Sequence, residues 1–231
     1  MLVSHLHHFV FLKTRKTAGT SLEIALSRFV GPNDVVTRDT PEDETIRLEW
    51  GGRPPQNRLV ARERWGTKEW VRWGIRRPAR MFFNHMPARD VRRLIGREIW
   101  ESYFSFAVER NPWDIAVSAW FWYSTRVPLT FKEFVSSDHL TNYSNWPIYT
   151  IHDRIAVDWV IRYEDLSDQL PELAARLCLP ETPVLPRAKG NVRIDHRPYQ
   201  EWYGRAERGR VARVFRKEIE AFGWTFDSEQ A

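Results

Sequence analysis

The sequence has few of the features that mark secreted, membrane-spanning or disulfide-bonded proteins. It contains a single cysteine, Cys178, among 231 residues, which excludes an internal disulfide framework and a CxxC zinc site. No apolar run approaches the roughly 20 residues that a membrane-spanning helix needs. Residues 1–12 also lack the basic and apolar regions of a secretory signal. We therefore expect a soluble, cytoplasmic protein with no integral membrane segment.

The composition is that of a folded domain. Apolar residues make up 42 % of the chain and charged residues 28 %, which supports a sizeable core and argues against disorder. A chain of this length fits a single domain, and we take residues 1–231 as that domain.

The positive charge is concentrated in one part of the chain. The net charge is +5, and the segment from Arg53 to Arg80 alone holds nine basic and two acidic residues, with Trp65, Trp70 and Trp73 among them. Such a patch attracts anions, although arginine stems lying over tryptophans on a solvated surface would give the same pattern. We interpret residues 37–80 as a variable, basic, tryptophan-rich insertion.

Short apolar runs alternate with helical patterns along the chain. Alternation of this kind predicts an α/β fold in which helices flank a central parallel sheet. The predicted strands are 8–12, 103–108 and 156–162. The predicted helices run from a cap at Thr20 or Ser21 to about Arg28, from Pro87 to about Gly96, from Asn111 to about Ser124, over 167–178 and over 207–222. Residues 37–60 and 180–198 are rich in proline and glycine, and we expect them to be irregular.

The first strand-to-helix corner, residues 13–21, is a candidate anion site. Backbone N–H groups at a helix N-terminus attract anions, Gly19 would let the backbone approach a phosphate closely, and Lys16 adds a positive charge. Hydroxyl donors come from Thr17, Thr20 and Ser21. The corner is not a Walker A loop, because no Gly-Lys pair is present. An ordinary capped helix with surface lysines is the alternative.

The second corner joins the strand that ends near Glu109 to the helix that begins after Asn111. Arg110 lies at the strand end and Ser118 two turns into the helix. An arginine fork and a hydroxyl together suit a phosphate group. The alternative is that Arg110 pairs with Asp114 or Glu109 and that Ser118 is only a small packing residue.

Together the two corners resemble the PAPS-dependent sulfotransferases, where PAPS is 3′-phosphoadenosine 5′-phosphosulfate. Residues 11–22 look like the family's 5′-phosphosulfate loop. Residues 110–118 look like its 3′-phosphate motif, including the Arg-to-Ser spacing. Weaker likenesses at 84–96, 160–166 and 203–226 point to the carbohydrate-type branch. The chain departs from the family where Arg15 replaces a usual proline, Lys13 a common histidine and Glu109 a more usual apolar residue.

The resemblance implies a P-loop-like, three-layer fold and in-line transfer of a sulfuryl group from PAPS to an acceptor hydroxyl on a carbohydrate or glycoconjugate. It implies that Arg110 and Ser118 hold the 3′-phosphate, that Lys16 also stabilises the leaving group, and that no metal is needed. The 5′ end of PAPS would bind Lys16, Thr17, Ala18, Gly19, Thr20 and Ser21.

Transfer to a hydroxyl needs a general base, and His85 is our candidate. An unperturbed histidine pKa suits that role, and its segment matches the place where carbohydrate-type members carry their base. Glu109 is the competing base, although a buried ion pair with Arg110 is the use we favour for it. We also expect Lys189 or Arg193 to give a second 3′-phosphate contact, and residues 53–80 to form part of the acceptor site.

Other functions fit parts of the same sequence. A nucleotide-dependent phosphotransferase of the kinase type would share the α/β scaffold. A nucleic-acid-binding protein would use residues 53–80 electrostatically, although our main interpretation has no nucleic-acid partner. A sulfotransferase that binds its donor without turnover is a further alternative. His5, His7 and His8 would alternate along a starting strand, so we expect no metal site there.

Overall fold

A mixed five-stranded sheet forms the centre of the fold. The computed structural model describes residues 1–60, 81–186, 188, 195 and 197–227. The strands are β1 (Leu2–Ser4), β2 (Phe9–Leu12), β3 (Val35–Val36), β4 (Phe104–Glu109), β5 (Thr150–Ile151), β6 (Arg154–Ile155) and β7 (Trp159–Arg162). The strand order in the sheet is β3-β1-β2-β4-β7, and β5 and β6 form a separate hairpin.

Ten α-helices and two short 3₁₀ segments accompany the sheet in the part of the chain that the structure describes. The helices are α1 (Gly19–Leu26), α2 (Pro41–Glu49), α3 (Ala88–Ile95), α4 (Arg97–Ser102), α5 (Pro112–Ser124), α6 (Phe131–Ser136), α7 (Trp146–Tyr149), α8 (Leu166–Arg176), α9 (Arg205–Val214) and α10 (Arg216–Phe222). The 3₁₀ segments are Asp138–Tyr143 and Tyr199–Trp202. None of the described helices combines the length and apolar character needed to cross a bilayer.

The sheet is parallel only in part. Strands β2, β4 and β7 pair in parallel, whereas β1 runs antiparallel to both β2 and β3. The predicted α/β class is therefore confirmed. The three predicted strands pair in parallel, but β1 and β3 add antiparallel pairs, so the sheet as a whole is mixed. The P-loop-like arrangement stays a prediction.

Helices cover both faces of the sheet. Successive residues of β2 point to opposite sides, and the apolar side chains on each side pack against helices. Phe9 and Phe11 are fully buried in a cluster with side chains of α1 and α8. Val10 and Leu12 are buried in a second cluster with side chains of α3 and α4. Strands covered on both faces are expected to be continuously apolar, as β2 is. The parallel pairing of β2 with β4 also puts the two strand-to-helix corners side by side.

Helix α5 confirms the helix that was predicted to begin after Asn111. Asn111 is its N-cap, and the Asn111 side chain accepts a 3.0 Å hydrogen bond from the Trp113 N–H. Pro112 occupies the first helical position, where its missing N–H has no consequence. The signals in this stretch are local, so the sequence alone was sufficient to predict the helix.

Residues 37–60 are not wholly irregular, and that prediction is wrong. Helix α2 lies within them, with Thr40 as N-cap, Pro41 in the first turn and three acidic residues in that turn. Each of these features stabilises a helix start. The glycines and the paired prolines that suggested irregular structure follow the helix.

Three smaller predictions also need correction. Helix α1 begins at Gly19 after Ala18 and has no side-chain cap, so neither Thr20 nor Ser21 is its N-cap. The predicted C-terminal helix is divided into α9 and α10 at Phe215. Residues 5–8 form the turn between β1 and β2 rather than a strand.

Candidate functional site

The two corners open onto one cleft with a volume of ≈ 580 Å³, within the range of about 300–1,000 Å³ that is usual for small-molecule sites. Among the described residues, those assigned to the two donor motifs and the candidate base His85 border this cleft. Those residues are Lys16, Thr17, Ala18, Gly19, Thr20, Ser21, His85, Arg110 and Ser118. The fold therefore brings together stretches that lie far apart in sequence.

The backbone of the first corner curls tightly before α1. Lys16 and Ala18 have φ values of 63° and 56°, in the left-handed region that non-glycine residues seldom occupy. The Leu22 N–H makes the first hydrogen bond of the helix, to the Ala18 carbonyl, at 3.0 Å. The N–H groups of Gly19–Ser21 thus come before that bond, as in helix N-termini that bind anions.

Close packing requires glycine at position 19, and the sequence did not reveal this requirement. A Cβ at this position would lie 2.9 Å from Lys13 Cγ and 3.1 Å from the Thr14 carbonyl oxygen. The start of α1 can therefore pack on the preceding loop only with glycine here. The close contact is with the protein's own chain, whereas the expected approach to a phosphate stays a prediction.

The three hydroxyl groups of this corner have different surroundings. Thr17 is buried, and its hydroxyl lies 2.7 Å from that of Thr14. The Thr20 hydroxyl donates to Asp39 at 3.1 Å. Ser21 borders the cleft and is buried. The side chains of Thr17 and Thr20 thus hold the loop, which leaves their backbone N–H groups as the better candidates for donor contacts.

His85 lies at the cleft with its Nδ1 3.0 Å from the carbonyl oxygen of Lys13. A carbonyl oxygen can only accept a hydrogen bond, so we assign the proton to Nδ1 and the lone pair to Nε2. Burial, together with the positive charges of Arg15 and Lys13, lowers the pKa of His85 to about 3. His85 is therefore neutral at pH 7, in the tautomer that a base requires.

The side chain of Lys13 belongs to a buried charge network behind the cleft. Its ammonium lies 2.9 Å from Glu23 and also pairs with Asp39. Glu23 in turn pairs with the fully buried Arg47 of α2 at 3.2 Å. This network joins α2 to the first corner and fixes the carbonyl that orients His85.

The Arg110 side chain contacts both corners. Its guanidinium pairs with Asp114, donates to the Lys16 carbonyl at 3.1 Å and lies 4.1 Å above the Tyr163 ring. Burial disfavours the charged form, but the Asp114 carboxylate more than offsets this and raises the pKa of Arg110. The predicted alternative, a pair with Asp114, is thus present at a position that also borders the cleft.

Glu109 is not a base in the cleft and does not pair with the Arg110 guanidinium. Its carboxylate is buried and accepts hydrogen bonds from the Arg110 backbone N–H and from Asn145, each at 2.9 Å. Burial raises the pKa of Glu109 to about 8, which makes it mainly neutral at pH 7. We correct the ion-pair prediction accordingly, because Asp114 supplies the carboxylate that Arg110 meets.

Asn145 holds the first corner in place. The Asn145 Oδ1 accepts from the Arg15 N–H at 2.7 Å, and its Nδ2 donates to the Arg15 carbonyl at 3.1 Å. The same Nδ2 also donates to Glu109. The side chain is fully buried, so none of these bonds can be exchanged freely for water.

Replacing Asn145 by alanine should lower the free energy of unfolding by about 2–4 kcal/mol, because it removes the partner of the Arg15 N–H and carbonyl and one of the two hydrogen bonds to the Glu109 carboxyl. Asn142→Ala is the matched control, since Asn142 borders the same cleft but is exposed, and we expect it to change stability by less than about 0.5 kcal/mol. Urea unfolding measures both variants. Equal stability of the two variants would contradict the role of Asn145 in holding the first corner.

Sequence reasoning missed the aromatic and polar wall that faces the first corner. This wall consists of Trp122, Tyr123, His139, Asn142, Tyr143 and Tyr163. Trp122 could have been found, because it lies one helical turn beyond Ser118 on α5. In the stretch 160–166 that resembles the family, Arg162 donates to the Phe222 carbonyl and Glu164 accepts from the Asn111 N–H.

Some predicted contributors lie outside the described residues. Lys189 and Arg193, the expected second contacts to the 3′-phosphate, are among them, as is most of the basic segment assigned to the acceptor. Ala188, next to Lys189 in the chain, borders the cleft.

Comparison with known proteins gives one informative relationship. No family model matches the chain, and no solved structure matches it either. A protein from Archaeoglobus fulgidus with the name "Uncharacterized protein" is 32% identical over 102 residues, which are 42% of this chain and 85% of the archaeal protein. The chain therefore belongs to the same family as this archaeal protein, whose name assigns it no activity.

Proposed function

We propose that the chain is a cytoplasmic PAPS-dependent sulfotransferase that transfers a sulfuryl group to an acceptor hydroxyl on a carbohydrate or glycoconjugate. The observation that carries the proposal is the meeting of both motif corners and His85 at one cleft. Each motif resembles the family on its own. One PAPS molecule carries phosphate groups at both its 5′ and 3′ positions, so it can bind both motifs only if they lie at the same cleft.

The chemistry of the cleft fits such a donor. Lys16 and the start of α1 lie at one corner, and Arg110 and Ser118 lie at the other. Cations and helix N-terminal N–H groups are the ligands that phosphate and sulfate groups prefer. Because Arg110 is already held by Asp114 and Tyr163, its orientation would cost little further entropy on binding.

When bound, PAPS supplies the transferable sulfuryl group. Lys16 and the N–H groups of Gly19–Ser21 would hold the 5′ end and stabilise the negative charge that collects on the 5′-phosphate. Arg110 and Ser118 would hold the 3′-phosphate and so align the donor. The reaction resembles phosphoryl transfer in depending on alignment and on stabilisation of dispersed charge.

His85 would accept the acceptor's proton. Its Nδ1–H is held by the Lys13 carbonyl, which leaves Nε2 to take the hydroxyl proton as the acceptor oxygen bonds to sulfur. The negative charges of a bound donor would offset the cations Arg15 and Lys13, which lower the pKa of His85 in the free protein. Donor binding should therefore raise the basicity of this residue at the moment of transfer.

The proposal is tested by incubating the protein with ³⁵S-labelled PAPS and a panel of neutral and acidic saccharides and phenols. We expect label in a product together with equimolar release of adenosine 3′,5′-bisphosphate. Phosphoryl transfer from ATP with magnesium would favour the phosphotransferase alternative. Steeply salt-dependent DNA or RNA binding without transfer would favour the nucleic-acid alternative.

A further inference from the structure

Arg15 is one of the cations at the cleft. The residue is partly buried and borders the cleft, yet among residues 1–60, 81–186, 188, 195 and 197–227 its guanidinium forms no ion pair. Burial lowers the pKa of this guanidinium, and the phenol of Tyr143 opposes the effect. A partly desolvated charge is stabilised most by an anion.

The carboxylates around the corner are engaged elsewhere. Glu23 and Asp39 pair with Lys13, and Asp114 pairs with Arg110. Glu109 is turned away from the cleft toward Asn145. Within the part of the chain that the structure describes, Lys13 and Arg110 are thus neutralised internally, whereas Arg15 borders the cleft without a carboxylate partner.

The position of Arg15 is set by the fold. Its N–H and its carbonyl are both bonded to the Asn145 side chain, at 2.7 and 3.1 Å. A proline, which is usual here in the family that the sequence resembles, has no N–H to donate. In this chain the buried Asn145 side chain restricts the loop instead, so position 15 can carry a cation.

The neighbours of Arg15 indicate which ligand it would meet. Its charge acts on His85 and on Tyr143, and both border the same cleft. His85 is the proposed base, so the acceptor hydroxyl must come within reach of Nε2. Lys16 and the start of α1 are placed to serve the donor. A group beside the acceptor hydroxyl would therefore lie nearest Arg15.

We propose that Arg15 determines acceptor specificity by binding an anionic group, a carboxylate, sulfate or phosphate, carried by the acceptor close to the hydroxyl that becomes sulfated. This inference rests on the proposed function and names its substrate class. Arginine suits such a role because its planar fork binds two oxygens of one anion.

The test compares two probes that differ by one carboxylate, 4-nitrophenyl β-D-glucuronide and 4-nitrophenyl β-D-glucoside. Calorimetric titration at saturating adenosine 3′,5′-bisphosphate gives a Kd for each. We expect the wild-type protein to bind the glucuronide about tenfold to hundredfold more tightly. Arg15→Gln should abolish that preference, and Arg15→Lys should keep part of it.

Arg154→Gln is the matched control. Arg154 is an exposed arginine of β6 that does not border the cleft, so its removal changes the net charge equally and should leave the preference for the glucuronide intact. The Kd values of the bisphosphate and of PAPS should stay within about twofold in Arg15→Gln.

The outcomes separate the acceptor role from the donor site. No preference in the wild-type protein, or a preference that survives in Arg15→Gln, would overturn the inference. A loss of PAPS affinity in Arg15→Gln as large as the loss of glucuronide affinity would assign Arg15 to the donor and would also overturn it. If the wild-type protein binds the bisphosphate but shows no preference, only this inference fails. If it does not bind the bisphosphate, the proposed function fails.

Discussion

Replacing His85 by asparagine should lower kcat by about 10²–10⁴-fold and leave the affinity for adenosine 3′,5′-bisphosphate within about twofold. Asparagine suits the left-handed backbone at this position, where φ is 60°. Its amide N–H can also replace the Nδ1 contact to the Lys13 carbonyl. The variant therefore removes the Nε2 lone pair with little change to the fold.

His7→Asn is the control for this prediction, because His7 lies on the turn between β1 and β2 and does not border the cleft. Its kcat should match that of the wild-type protein. A His85→Asn variant with wild-type kcat would remove His85 from the mechanism. Lost bisphosphate binding with unchanged kcat would instead show a donor contact.

The lowered pKa of His85 also predicts how stability depends on pH. In the folded protein its pKa is about 3, against 6.5 without the fold, so between these values the unfolded chain binds more protons at this residue. The contribution of His85 to stability is complete above pH 6.5 and is lost as the pH falls toward 3, at up to about 1.4 kcal/mol per pH unit. His85→Asn should remove this component.

Lys16→Ala is expected to give the second large effect, a loss of about 10²–10³-fold in kcat. The ammonium would neutralise charge that develops on the leaving 5′-phosphate, so its absence should affect transfer more than ground-state binding. Lys132→Ala, which removes an exposed lysine of α6, should leave kcat unchanged. Wild-type turnover in Lys16→Ala would refute the assigned role.

A kinetic comparison distinguishes this role from a structural one. Lys16→Arg keeps the charge and should recover part of the turnover, whereas a merely structural loss would give the same rate in both variants. The backbone at Lys16 is left-handed, and both substitutions keep a Cβ there, so neither adds strain that lysine does not already have.

The parts of the structure that could be predicted from sequence are those with local signals. Helix α5 follows from Asn111 and Pro112, and the proximity of the two corners follows from parallel pairing of β2 with β4. Burial of β2 follows from four consecutive apolar residues. In each case neighbours in sequence, or a single pairing rule, decide the outcome.

The remaining features depend on contacts between distant residues. Asn145 holds a loop 130 residues away in sequence, and no local pattern marks it. Arg110 pairs with Asp114 rather than with Glu109, whose carboxyl accepts a hydrogen bond from the distant Asn145. The short strands β1 and β3 likewise owe their place to pairing partners rather than to their own length.

The central claim is that the two corners form a site for a nucleotide with a 3′-phosphate. The most direct measurement is thermal unfolding with adenosine 3′,5′-bisphosphate, compared with adenosine 5′-phosphate and with ADP plus magnesium. At about 100 times its Kd the bisphosphate should raise Tm by roughly 5–11 °C, and the other two nucleotides should have little effect. An equal shift with adenosine 5′-phosphate, a larger shift with ADP and magnesium, or no shift with the bisphosphate would contradict the claim.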